Sequence, residues 1–154
     1  MKISFKTSII VVSLAASLVV SSCKFIQDEP PPYVVSKPVC LIEAKPGYFN
    51  FAGIEFDFFN ASEKAITNIY LSFMVYDADT KKNPFIGSNV IKMSFDGVIK
   101  QQEQKKFFIS LDNYSFTIPA KPYLIDFFCV TKIIYEDTSQ WEDPSGVYYT
   151  NSYE

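Results

Sequence analysis

The chain predicts an all-β protein, an antiparallel sandwich of about seven strands, and three observations carry that expectation. Apolar residues recur with period two in one short segment after another, the spacing of a half-buried strand. Turn-forming residues separate these segments, and no long stretch shows helical periodicity. Aromatic residues make up 17% of the chain, with 15 Phe, and such side chains fit the cores of β-sheets.

The strands follow in order. Cys40 and Ile42 share one face of a first short strand. Ile54, Phe56 and Phe58 point one way while Glu55 and Asp57 point the other, the clearest half-buried strand of the chain. A polar turn, Asn60-Ala61-Ser62-Glu63-Lys64, precedes Ile69, Leu71, Phe73 and Val75, which alternate with Asn68, Tyr70, Ser72 and Met74. Residues 77–84 read as a loop. Ile91, Met93 and Phe95 form a fourth strand, closed by the turn dipeptide Asp96-Gly97. Phe107, Ile109 and Leu111 form a fifth. Tyr123, Ile125, Phe127, Cys129, Ile133 and Tyr135 line one face of a long sixth strand, with Asp126 and Lys132 opposite. A last strand is expected over Val147–Tyr149.

Two segments precede the strands. Lys2 and Lys6 lead into an apolar run, Ile9 to Val20, that ends in Val20-Ser21-Ser22-Cys23. A helix of that run would be roughly 18 Å long, well short of the ~30 Å hydrocarbon core of a bilayer. A basic start, a short apolar stretch and small residues at its end read as a signal peptide over residues 1–22, to be cleaved before Cys23. The pattern is that of a bacterial lipobox, so Cys23 is expected to carry the lipid. Acyl chains contribute roughly 0.8 kcal/mol per buried CH₂, and two or three hold a domain on a membrane durably. Residue 24 is Lys rather than the Asp associated with inner-membrane retention, which favours the outer membrane in a cell that has one. The stretch 23–37, with Asp28-Glu29-Pro30-Pro31-Pro32, reads as a proline-rich tether of about 40 Å, and the domain is expected over 38–154.

Composition narrows the chemistry. After removal of the signal, 12 Lys face 17 acidic residues, a formal charge of −5, and the chain has no His and no Arg. An acidic chain without Arg is a poor partner for nucleic acid. Without His it lacks the commonest general base and the commonest catalytic zinc ligand. No catalytic residue, metal site or cofactor is therefore assigned.

Phe73-Met74-Val75-Tyr76-Asp77 resembles the signature of the FxLYD family, with Val in place of Leu. Upstream, Phe58-Phe59-Asn60 and its polar turn match the strand and Asn that precede that motif. Ile133-Ile134-Tyr135-Glu136-Asp137 with Trp141 is similar to a closing strand in related lipoprotein domains, although Thr138-Ser139 replaces the usual Asp-Gly turn. The likeness spans about Tyr48 to Trp141. It implies an immunoglobulin-like sandwich on an exported protein, and no catalytic residues.

The candidate functional residues follow from side-chain chemistry. Cys40 and Cys129 lie on apolar strand faces of an exported chain, either joined by a disulfide closing an 89-residue loop, worth roughly 4–5 kcal/mol, or buried as thiols. Glu136, Asp137, Glu142 and Asp143 surround Trp141, a set that suits either a calcium ion or a sugar, or else a solvated acidic turn. Tyr148, Tyr149 and Tyr153 form an aromatic C-terminal cluster suited to an interface. Together these residues predict a lipid-anchored, non-enzymatic interaction module of the cell envelope with a protein partner. A carbohydrate- or calcium-binding domain is the alternative, and a small carboxylate hydrolase a third.

Overall fold

Eight strands form, each where inward apolar residues alternate with outward polar ones: β1 (Tyr33–Val35), β2 (Val39–Leu41), β3 (Gly53–Asn60), β4 (Ile66–Tyr76), β5 (Val90–Ile99), β6 (Gln104–Ser110), β7 (Leu124–Tyr135) and β8 (Gln140–Glu142). The structure, a computed structural model, describes residues 30–153. The expected signal peptide, Cys23 and the first residues of the expected tether lie outside the described residues. All strand pairs are antiparallel, as expected, and they make two sheets.

In the first sheet β3 is central, with β6 along one edge from Gly53↔Ser110 to Phe59↔Gln104. β1 and β2 share its other edge, through Tyr33↔Asn60 and Val39↔Glu55. They are two halves of one edge strand, interrupted where Pro38 has no N–H to offer. Ser36 bridges the gap: its N–H donates to the Asp57 carbonyl (2.9 Å), and its hydroxyl accepts the Asp57 N–H (2.8 Å). The second sheet has the order β5-β4-β7-β8.

The two sheets face each other across one core. Ile54, Phe56 and Phe58 of β3 meet Ile69, Leu71, Phe73 and Val75 of β4 and Ile125, Phe128, Val130 and Ile133 of β7. Phe56 touches rings from both sheets, Phe107 at 5.4 Å, Phe128 at 4.9 Å and Phe95 at 6.2 Å between centroids. At the open side, the Tyr33 ring stacks on Phe58 (5.6 Å) and meets Trp141 edge-on (5.4 Å), so β1 closes against β8.

Four expectations are corrected. Tyr33–Val35, read as tether, is a paired strand whose Tyr33 is buried, so the folded unit starts at Pro31 rather than Pro38. Asp96-Gly97 does not end its strand. Gly97 (φ +138°) and Val98 both oppose Thr67, forming a bulge inside β5, and the turn comes at Lys100–Glu103. That extra residue needs a backbone conformation that glycine adopts freely.

On β7 the strict alternation fails. The register against β4 slips between Ser72 and Met74 and again between Tyr70 and Leu71. Phe127 therefore turns outward and Phe128 takes its place in the core. Finally, Val147–Tyr149 is not a strand. Trp141 sits on the last one, β8, and the chain touches β7 once more at Thr150↔Phe128.

Asp112 pins the start of β3. Its carboxylate accepts the N–H groups of Asn50 (2.7 Å) and Phe51 (2.9 Å) and the Asn50 side-chain amide (3.0 Å). Desolvation alone would raise its pKa, but these bonds outweigh it and hold the carboxyl below its ordinary value.

Candidate functional site

The outer face of the β5-β4-β7-β8 sheet carries a groove of about 760 Å³, within the size range of small-molecule sites. Side-chain size makes it concave. Ser72, Ser94, Cys129 and Thr131 leave the centre low, while Tyr70, Met74 and Phe127 stand higher around it. Cross-strand register sets the rows: Lys92, Ser72 and Cys129 lie in line across three strands, with Ser94, Tyr70 and Lys132 forming the next row.

One end is walled by the loop that follows β8. Asp143 turns its carboxylate inward to accept the Tyr148 N–H (3.1 Å), and its own N–H donates to the Thr131 carbonyl (2.9 Å). The enclosed residues form a loop against β7, with Pro144, Ser145 and Gly146 lining the groove. Gly146 (φ +64°) packs so closely that a Cβ there would sit 3.2 Å from the Cys129 Sγ.

Phe127 forms part of the wall and is held in the left-handed region at φ +47°. Its N–H donates to the Asp126 carboxylate (2.9 Å) and the Asn151 side-chain carbonyl (3.1 Å), and its ring packs on Tyr149 at 4.8 Å. Yet the residue remains 47% exposed. A non-glycine residue here costs on the order of 1–3 kcal/mol, a strain that concentrates at functional sites, and bulges re-aim side chains. Phe127→Gly relieves that strain and loses one ring contact. It is expected to change the unfolding free energy by less than about 1 kcal/mol in urea titration; a loss above 2 would make Phe127 a packing residue.

The sequence-derived candidates are dispersed. Trp141 is half-buried, pairs with Ile133, and packs between Tyr33 and Tyr148. Glu136 and Asp137 lie in the β7–β8 turn. Asp137 bonds the Lys64 ammonium (2.7 Å) and the Ser139 N–H (3.0 Å), which hold its pKa down to about 2. Glu142 pairs with Lys132 (3.2 Å). Asp143 is spent on its own loop. Among the described residues no three His, Cys, Asp or Glu converge to hold a metal. Tyr149 joins Phe127 beside the groove, whereas Tyr148 packs on Trp141.

Cys40 and Cys129 are free thiols, which corrects the candidate disulfide. Cys40 Sγ accepts the Tyr123 N–H (3.3 Å), six residues along the strand from Cys129, or roughly 20 Å, far beyond the reach of a disulfide. Cys129 also faces away from the core, its thiol donating to the Ser72 carbonyl (3.4 Å). Burial pushes Cys40 up to about 11 and raises Cys129 as well, so both stay protonated at neutral pH.

Acid should unfold the domain through Asp112 and Asp137. Both bind a proton more weakly folded than unfolded, so their stabilisation is present above the ordinary value of 3.8 and is lost as pH falls toward about 2. Tm by circular dichroism is expected to stay level from about pH 7 to 5 and drop below about 4. A transition complete by pH 5 would contradict this.

Sequence reasoning missed the groove. Its one legible trace is Phe127-Phe128, two adjacent aromatics that strict alternation cannot bury on one face. Compared with known proteins, the chain matches no protein-family model, and no curated protein is significantly similar to it.

Proposed function

We propose that this protein is a lipid-anchored, non-enzymatic interaction module of the bacterial cell envelope, with an immunoglobulin-like sandwich as its folded part. The observation that carries the reading is the lipobox Val20-Ser21-Ser22-Cys23, followed within ten residues by the first strand of a β domain. The strand order supports the immunoglobulin-like assignment, since one sheet, with β3 between the β1/β2 edge and β6, faces the sheet β5-β4-β7-β8. The FxLYD-like segment agrees with it: Phe73 and Val75 point into the core from β4, and the Asn60 that precedes it is buried.

The groove supports binding rather than turnover. It offers hydroxyls, a protonated thiol and a Lys132–Glu142 pair, with no His anywhere in the chain to activate a nucleophile.

The test of the anchor is metabolic labelling with palmitate in a bacterial host. The wild-type chain is expected to take up label and sediment with membranes, and Cys23→Ser to lose the label and the membrane association. Unlabelled wild-type protein would overturn the reading. Turnover of a substrate at a rate that groove substitutions abolish would overturn its non-enzymatic part.

A further inference from the structure

We propose that the outer-face groove binds an amphipathic monoanion, an apolar tail of about 10 Å carrying one carboxylate, with the tail at the Gly146 end and the carboxylate at Lys92. This deepens the binding reading but does not depend on the lipid anchor.

The geometry gives the groove a direction. The Pro144–Gly146 loop closes it beyond β7, and the opposite end opens over β5, an edge strand that pairs with β4 alone. Strands lie about 4.8 Å apart, so the path from Lys92 across Ser72 to Cys129 covers roughly 10 Å, and the loop lies just beyond. Along this path one wall is apolar, formed by Met74 and the Phe127 ring. The other is formed by Tyr70, Thr131 and the Lys132–Glu142 pair, whose charges meet each other at 3.2 Å, and the thiol at the floor is already committed to the Ser72 carbonyl.

The open end is different. Lys92 stands there with no carboxylate partner among the described residues, whereas Lys132 on the next row is paired with Glu142 at 3.2 Å. A cation left uncompensated at the mouth of an apolar groove, in a chain with an acid excess, is complementary to an anion. The Ser72 and Ser94 hydroxyls flank it as further donors. Ligand and strain are connected: Phe127 is held at φ +47° with its ring turned out of the core, the position from which it can cover a tail.

Decanoate and its neutral counterpart 1-decanol are the probes, titrated into the chain from residue 24, which contains the whole described core, without detergent. Binding is read by amide chemical-shift changes and calorimetry. Decanoate is expected to bind about tenfold tighter than decanol, with shifts centred on Ser72, Phe127, Cys129 and Gly146. Lys92→Gln should bring the two affinities to within about twofold, and Phe127→Gly should weaken both about tenfold while leaving the urea midpoint close to wild type. Equal affinities in the wild-type chain, shifts centred elsewhere, or an unchanged preference in Lys92→Gln would each overturn the proposal. Palmitate labelling at Cys23 is indifferent to all of these results, so the two readings fail separately.

Discussion

Replacing Asn60 by alanine is expected to destabilise the domain by about 3–5 kcal/mol, the largest effect of truncating any polar side chain to alanine. Asn60 ends β3 with no exposed surface. Its amide donates to three carbonyls, Lys64 (2.8 Å), Ile99 (3.2 Å) and Lys100 (3.0 Å), and its oxygen accepts the Ser62 N–H (3.1 Å) and hydroxyl (2.6 Å). One side chain thus ties the β3–β4 turn to the β5–β6 turn, which carries the chain from one sheet to the other. Each buried group left unpaired costs about 1–3 kcal/mol. Asn60→Asp has the same shape but sets a carboxylate against three carbonyls, and should be worse than alanine at neutral pH and partly relieved in acid. Urea unfolding is the measurement, and an alanine variant within 1 kcal/mol of wild type would show that solvent reaches the site.

Phe56→Ala should cost a similar amount, about 3–5 kcal/mol, for a different reason. The ring is 1% exposed and lies between the sheets against Phe95, Phe107 and Phe128. Its removal leaves a cavity that rings on three strands cannot jointly fill. Phe56→Leu keeps most of the volume and should lose roughly 1–1.5 kcal/mol. Set beside Phe127→Gly, the pair separates a phenylalanine that holds the fold from one that the fold holds in strain. Equal losses at the two positions would remove the distinction.

The inward residues of β3 and β4 were legible in the sequence because nothing interrupts their alternation: Ile54, Phe56, Phe58 and Ile69, Leu71, Phe73, Val75 are all buried. β7 was legible as a strand but not in its facing, since its three register slips against β4 displace parts of the pattern by whole residues. Gly97 misled in the same way, as an Asp-Gly pair is equally at home in a turn and in a bulge. β1 was hidden by the prolines before it, and its pairing with β3 together with the burial of the Tyr33 ring brings it into the fold. The acidic residues around Trp141 are close in sequence, but the β7–β8 hairpin sends Asp137 toward Lys64, Glu142 toward Lys132, and Asp143 into its own loop. Beyond the Phe127-Phe128 pair the groove left no trace in the sequence, because it is built from residues of four strands and a loop whose register only the folded sheet defines.

The pairing of β3 with β6 has a consequence in time. The partners along that edge are separated by 45 to 57 residues of sequence, and non-local pairing of this kind is intrinsically slow, on the scale of milliseconds to seconds for sandwiches. A chain that emerges N-terminus first therefore carries Phe56 and Phe58 uncovered until Gln104–Ser110 has arrived. Even then the facing sheet lacks β7, so the two sheets close over Phe56 only once Leu124–Tyr135, which supplies Phe128, has followed.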